Sequence, residues 1–355
     1  GGVDGSLLLQ SLVNSQTGQI TLLGQKDVVQ SSAGRIGTTG GSIDVEATTG
    51  SIVMNDGSTA ASAGGAIRYG AAVNVGIGGL HAGSGSVSVI AATGSIRDNG
   101  DTDQDVSALS LRLAAGLDIG TVSSLDIAVT NVAASAANGG ISIIEADAVT
   151  VATVAGVQVG RVDNTGASAL HPSVVLPDIP GLTTGSGNIG LLVLNGHLTV
   201  NQPVIAAVQG NILLQSRTSE LVGGTTPLNN KDLFVNAPVT STSGNISILG
   251  NRDVFQAVTG DVSAGGAGTL DVRGRFGSIT MADTGADSAF GNTAGGSIRY
   301  SAAKNVLLGG LNALAGDVSI LPTQGSITDS GISTLRVAGA RLRLIAGAGV
   351  GTGSN

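Results

Sequence analysis

A five-residue phrase recurs along this chain: glycine, a small or amide residue, Ile or Val, any residue, then usually an apolar one. It stands as GQITL at Gly18, GSIDV at Gly41, GSIVM at Gly50, GAIRY at Gly65, GSVSV at Gly85 and GSIRD at Gly94. It returns as GNILL at Gly210, GNISI at Gly244, GSITM at Gly277, GSIRY at Gly296, GDVSI at Gly316 and GSITD at Gly325. Apolar residues alternate within each phrase, the period-two signature of a strand with one buried face. The leading glycine is expected to supply a turn that a Cβ would resist. No stretch carries a helical i, i+3, i+4, i+7 stripe, so no helix is expected beyond a short turn.

The spacing of the phrases selects the architecture. Gly18 to Gly41 is 23 residues, Gly41 to Gly65 is 24, and Gly65 to Gly85 is 20. In the later half Gly244 to Gly268 is 24, Gly268 to Gly296 is 28, and Gly296 to Gly316 is 20. A period of about 20 to 25 residues holding two or three short strands is one coil of a parallel β-helix. One coil cannot bury its own Ile and Val, but stacked coils form a continuous interior column. The expected columns contain Ile20, Ile43, Ile67 and Val87, then Ile246, Leu270, Ile298 and Val318.

The phrases are nested in a longer duplication. Residues 65–100 align without a gap on residues 296–331, with 20 of 36 pairs identical. Further matches join VDGSLLLQS (3–11) to VQGNILLQS (208–216), and LRLAAGLDIGT from Leu111 to LRLIAGAGVGT from Leu342. The fold class expected is therefore all-β: an elongated right-handed parallel β-helix, or β-solenoid, built from a duplicated module of about ten coils. Residues 1–204 form the first module and 205–355 a second, truncated copy continuous with it. Residues 162–187, with Pro172, Pro177 and Pro180, break the rung pattern and are expected to leave the coil as a surface excursion. The second copy stops at VGTGSN where the first runs on past Thr121, which reads as a stretch of a longer array.

Composition agrees and excludes several classes. The 355 residues include 58 Gly, no Cys, no Trp, two Tyr and four Phe, so the interior must be built from Val, Ile, Leu and Ala. The acidic balance, net −8, argues against nucleic acid as a partner. Only three of the 24 acids are Glu, the helix former, and the rest are turn-favouring Asp. No apolar run approaches the length of a transmembrane segment, and without cysteine there is no disulfide or thiolate chemistry.

The Gly-[Ser/Asn]-[Ile/Val]-x-[apolar] rungs, with NGGISIIEADAVTV (138–151) and AATGSIRDNG (91–100), resemble the filamentous-haemagglutinin-like repeats of very large secreted bacterial adhesins. The resemblance spans nearly the whole chain. It implies a right-handed parallel β-helix at the bacterial cell surface or outside the cell, acting in adhesion, biofilm or a surface fibre. The partners it implies are neighbouring repeats of the same long chain, further copies in a fibre, and host or cell-surface glycans or proteins. No receptor-binding motif of that group is carried over.

The alternative function is a carbohydrate-active β-helix, a polysaccharide lyase or glycoside-hydrolase-like enzyme. That chemistry requires clustered carboxylates, or Ca²⁺ with a basic residue, on one face. The carboxylates are instead scattered at turns, as with Asp27, Asp253 and Asp283, and His81 faces Asn312 in the second copy. No catalytic residue is assigned. The one acidic concentration, DNGDTDQD, carries Asp98, Asp101, Asp103 and Asp105, a candidate Ca²⁺ cluster. The second copy replaces the last three with Ile332, Thr334 and Arg336, so a solvated corner is preferred over an ion site. Arg68–Tyr69 and Arg299–Tyr300 recur at the same coil. They are expected to be structural, with Tyr packed over a rung edge and Arg outward.

Overall fold

The computed structural model describes residues 5–99, 103–171, 176–217, 231–284, 289–329 and 336–351. These contain strands and turns and no helix, and parallel strands stack as a β-solenoid of about 14 turns. Two compact units result: residues 1–144 with 152–180, and residues 145–151 with 181–355. The boundary differs from the module boundary at 204. Residues 181–204 stack on the coils that follow, Leu182 pairing with Val204 and Ile189 with Ile212.

Each regular coil has three strands. In the first unit one coil runs Val28–Gln30, Arg35–Thr38, Ile43–Ala47, and the next Ile52–Met54, Thr59–Ala61, Ile67–Ala71. In the second unit Val254–Gln256, Val262–Ala264 and Leu270–Gly274 are followed by Ile279–Met281, Phe290–Thr293 and Ile298–Ala302. Equivalent strands pair in parallel, so that Ile20, Ile43, Ile67, Val87 and Leu111 form one ladder. Ile246, Leu270, Ile298, Val318 and Leu342 form its counterpart. All eight residues expected inside are buried.

The leading glycines do something other than what the phrase suggested. Gly41, Gly65 and Gly85 lie outside the left-handed region, so a turn does not require them. Each packs on the backbone of the coil before: a Cβ on Gly65 would lie 2.0 Å from the Gly41 carbonyl oxygen, and one on Gly296 2.0 Å from that of Gly268. Three residues earlier in several coils a buried hydroxyl serves the same corner. Thr38 Oγ1 accepts from Gly41 N–H at 3.1 Å, and Ser241 Oγ accepts from Gly244 N–H at 2.8 Å.

Tyr69 and Tyr300 do not lie over a rung edge. Both are fully buried in the interior, two residues after Ile67 and Ile298 on the same inward parity. Each phenol donates at 3.1 Å to a buried glutamine, Tyr69 to Gln30 and Tyr300 to Gln256.

The excursion is also placed differently. The chain leaves the coil before residue 162. Thr153–Val154 pairs antiparallel with Ile179–Pro180, and Val159–Val162 with Ser168–His171. Residues 182–184 are already back in the coil. Val154 and Ile179 pack outside the solenoid on Ala133 and Ala114, so the excursion has a small apolar foot of its own.

Candidate functional site

The hairpin Val159–His171 lies on the outward face of the strands Ile20–Gly24, Ile43–Ala47 and Ile67–Ala71. Period-two alternation turns Thr21, Asp44, Glu46 and Arg68 outward there while Ile43, Val45, Ile67 and Tyr69 fill the interior. Backbone groups fix the hairpin's position: Val162 N–H donates to Thr21 Oγ1 and Gly160 N–H to Ser42 Oγ, both at 2.8 Å. Charge locks it. Arg161 Nε donates to Asp44 Oδ2 at 2.7 Å and Arg161 Nη2 to Glu46 Oε2 at 2.5 Å. Arg68 Nη1 reaches Asp44 Oδ1 at 2.8 Å and Glu46 Oε2 at 3.1 Å. His171 Nε2 completes the group 3.5 Å from Glu46 Oε2.

Asp44, Glu46 and His171 bring ligand atoms within 4.8 Å of one another, the one such grouping among the described residues. It does not suit a cation. Two guanidiniums balance the two carboxylates, and their donors already occupy oxygens that a metal would need. The group is a clamp. Burial pushes the Glu46 carboxyl up, but the Arg161 and Arg68 charges outweigh it and hold it below its ordinary value. Burial, then the Arg161 charge, holds the His171 imidazole below its ordinary value.

Both shifts run the same way. A group depressed in the folded state stabilises it above the ordinary pKa and loses that contribution as pH falls. Docking should therefore weaken from about pH 6.5 downward through His171, and further below about 4.3 through Glu46. Arg161→Ala should weaken it at neutral pH by about 2 kcal/mol, because Asp44 is fully buried. NMR resonances of the Gly160 and Val162 amides report both effects. Amide shifts that are flat from pH 7 to about 4 and unchanged by the substitution would show that the clamp holds nothing.

Among the described residues Asp98, Asp103 and Asp105 do not form a metal-ligating group. Asp101 lies outside the described residues. Asp98, at the end of its strand, accepts from Ser123 Oγ at 2.5 Å. Asp103 is exposed, whereas Asp105 is buried and accepts from Asp126 N–H at 2.7 Å. The other singled-out side chains act between coils. Asp27 and Asp253 accept from the amides of Ser51 and Ser278, and Asn74 and Asn305 from those of Ser95 and Ser326. Asp283 pairs with Arg336 at 2.5 Å. His81 Nδ1 meets Ser107 Oγ at 3.0 Å, and burial lowers its pKa. His197 Nδ1 accepts from Asp232 N–H at 3.0 Å.

The second unit adds two features that no motif announced. Phe234 and Phe255 stack on adjacent coils with centroids 5.1 Å apart, and His197 tilts against Phe234 at 5.7 Å. Arg273, Arg275 and Arg299 line a groove of about 340 Å³ with Ser301 and Thr323. Parity along GTLDVRGR and GSIRYS could have found the groove, since Arg273 and Arg299 both fall on outward positions. No protein family, curated protein or solved structure matches the chain.

Proposed function

We propose that this chain is a structural and adhesive segment of a large bacterial cell-surface or secreted protein, a scaffold for adhesion, biofilm or a surface fibre, without catalysis. One observation carries it: the duplication repeats what holds coils together and not what could react. Both copies keep the glycine packing, the Tyr–Gln pair, the inter-coil Asp27/Asp253 and Asn74/Asn305 bridges and the apolar ladders. The candidate reactive groups drift: His81 becomes Asn312, Glu46 becomes Arg273, and the acidic loop loses three carboxylates. Groups that merely decorate a stacked fold are free to change; a reaction centre carried by the module is not.

Partners in this proposal are neighbouring repeats, further copies in a fibre, and surface glycans or proteins met through loops. Protease treatment of intact producing cells should release peptides of this chain. The purified chain should generate no new ends from acidic or neutral polysaccharides. Protection until lysis would overturn the location, and depolymerisation would establish the carbohydrate-active alternative.

A further inference from the structure

The two units carry the same outward column. In the first, Thr21, Asp44, Arg68, Ser88 and Arg112 stand on successive coils. In the second the column reads Ser247, Asp271, Arg299, Ser319 and Arg343. Thr269, just before its strand as Ser42 is before its own, extends the match.

The first column is covered by the excursion. Thr21 and Ser42 accept its backbone amides, Asp44 holds Arg161, and Arg112 Nη2 donates to the Pro177 carbonyl at 3.1 Å. In the second unit the arginines of the column are exposed among the described residues, while Ser319 Oγ stays buried. The Arg299 side chain is 54% exposed, Arg273 and Arg343 are exposed, and neither of these two forms an ion pair among the described residues.

One position is reversed. Where the first unit has Glu46, the second has Arg273. Asp271 there is already held by Arg299 through two bonds of 2.8 and 2.6 Å. A side chain arriving where Arg161 sits would meet Arg273, Arg275 and Arg299 around the groove. A second arginine would be repelled, and a carboxylate would gain charge-assisted hydrogen bonds.

We infer that the outward face of Ile246–Gly250, Leu270–Gly274, Ile298–Ala302 and Asp317–Pro322 is a docking surface for a β-hairpin that presents a carboxylate at the place Arg161 takes in the first unit. A polypeptide is favoured over a polyanionic glycan because the retained residues include those that bind backbone in the first unit. Ser247, Thr269 and Arg343 match Thr21, Ser42 and Arg112, two amide acceptors and a carbonyl donor. A polyanion would engage the arginines and the hydroxyl protons, but it offers no row of backbone N–H groups for Ser247 and Thr269 to accept as Thr21 and Ser42 do.

The test uses the full chain and two labelled synthetic peptides of residues 157–171, one native and one with Arg161→Glu. The Glu peptide should bind more tightly, by about fivefold or more, and shift the Ser247, Arg299 and Ser319 amides. Arg273→Glu in the full chain should invert the preference; Arg273 is exposed, and an unchanged melting temperature confirms that this variant folds. Three results would overturn the inference: no shift at those amides with either peptide, a preference untouched by Arg273→Glu, or shifts produced by heparin alone. The last would make the face a polyanion site.

Discussion

Alanine at Gly65 is expected to destabilise the first unit by about 3 kcal/mol, while alanine at Gly40 leaves it unchanged or slightly more stable. The two glycines differ in what a methyl group would meet. At Gly65 the new Cβ would fall 2.0 Å from the Gly41 carbonyl oxygen and 2.6 Å from its carbon; at Gly40 there is nothing within 4 Å. Neither has the positive φ that would strain an L residue. The obstacle at Gly65 is backbone, not the end of a flexible side chain, so it yields only if two coils move apart and lengthen the hydrogen bonds between them. Such overpacking sits at the costly end of core insertions. The contact recurs at Gly41, Gly85, Gly244, Gly268, Gly296 and Gly316 against the coil before each, so Gly296→Ala should cost as much in the second unit. Urea denaturation of the three variants, followed by far-UV circular dichroism, gives the comparison. Equal midpoints for Gly65→Ala and Gly40→Ala would show that coil spacing is not set by the glycine column.

That column illustrates what was legible in the residues and what was not. The recurrence of glycine marked the coil and its period, and the alternation of Ile and Val marked the inward ladders, because both features repeat along one strand. The reason for the glycine lay in the neighbouring coil, where a linear pattern carries no distance. Tyr69 lay between these cases. Counting two residues from Ile67 places it inside, but an aromatic residue in a thin interior built of aliphatics suggested the edge. The clamp was illegible for a plainer reason. Asp44 and Arg161 are 117 positions apart, and outward residues have no buried periodicity to announce a partner. The excursion was recognised by its prolines, yet its true start at the pairing of Thr153 with Pro180 precedes them. The acidic loop drew attention through local density of charge. Density in sequence does not decide direction in space, and among the described residues Asp105 turns inward to hold a backbone amide while Asp103 faces solvent.

Removing the buried tyrosine should have the largest effect of any single side chain on the interior. Tyr69→Ala is expected to cost about 3 to 5 kcal/mol, the range for deleting a buried aromatic ring. Tyr69 is fully buried and its phenol donates to Gln30 Oε1, while Gln30 Nε2 donates to the carbonyls of Gly34 and Thr59, each at 2.9 Å. Burial pushes the phenol pKa far up, so the hydroxyl remains a donor at any pH the fold survives. The ring and the hydroxyl can be separated. Tyr69→Phe keeps the volume and strands Gln30 Oε1 in an apolar interior, at a cost of about 1 to 2 kcal/mol. Gln30→Leu in the wild-type background strands the phenol and frees two carbonyls, so it should cost at least as much. In the double variant the tyrosine and its acceptor are removed together, and the loss should be smaller than the sum by about 1 kcal/mol or more. The second unit offers an internal repeat, since Tyr300 donates to Gln256 at 3.1 Å and Gln256 Nε2 to the Phe290 carbonyl at 2.7 Å. A cycle on Tyr300 and Gln256 should return coupling of the same sign. The pair joins a strand of one coil to a different strand of an earlier one, across 39 residues in the first unit and 44 in the second. Apolar columns of Ile and Val tolerate a slip by one whole coil, because every coil presents the same face. A buried hydroxyl that finds its acceptor in one alignment only does not, and it selects that alignment from many of similar hydrophobic energy. Additive losses in both cycles would refute this role and leave the tyrosines as filler of the interior.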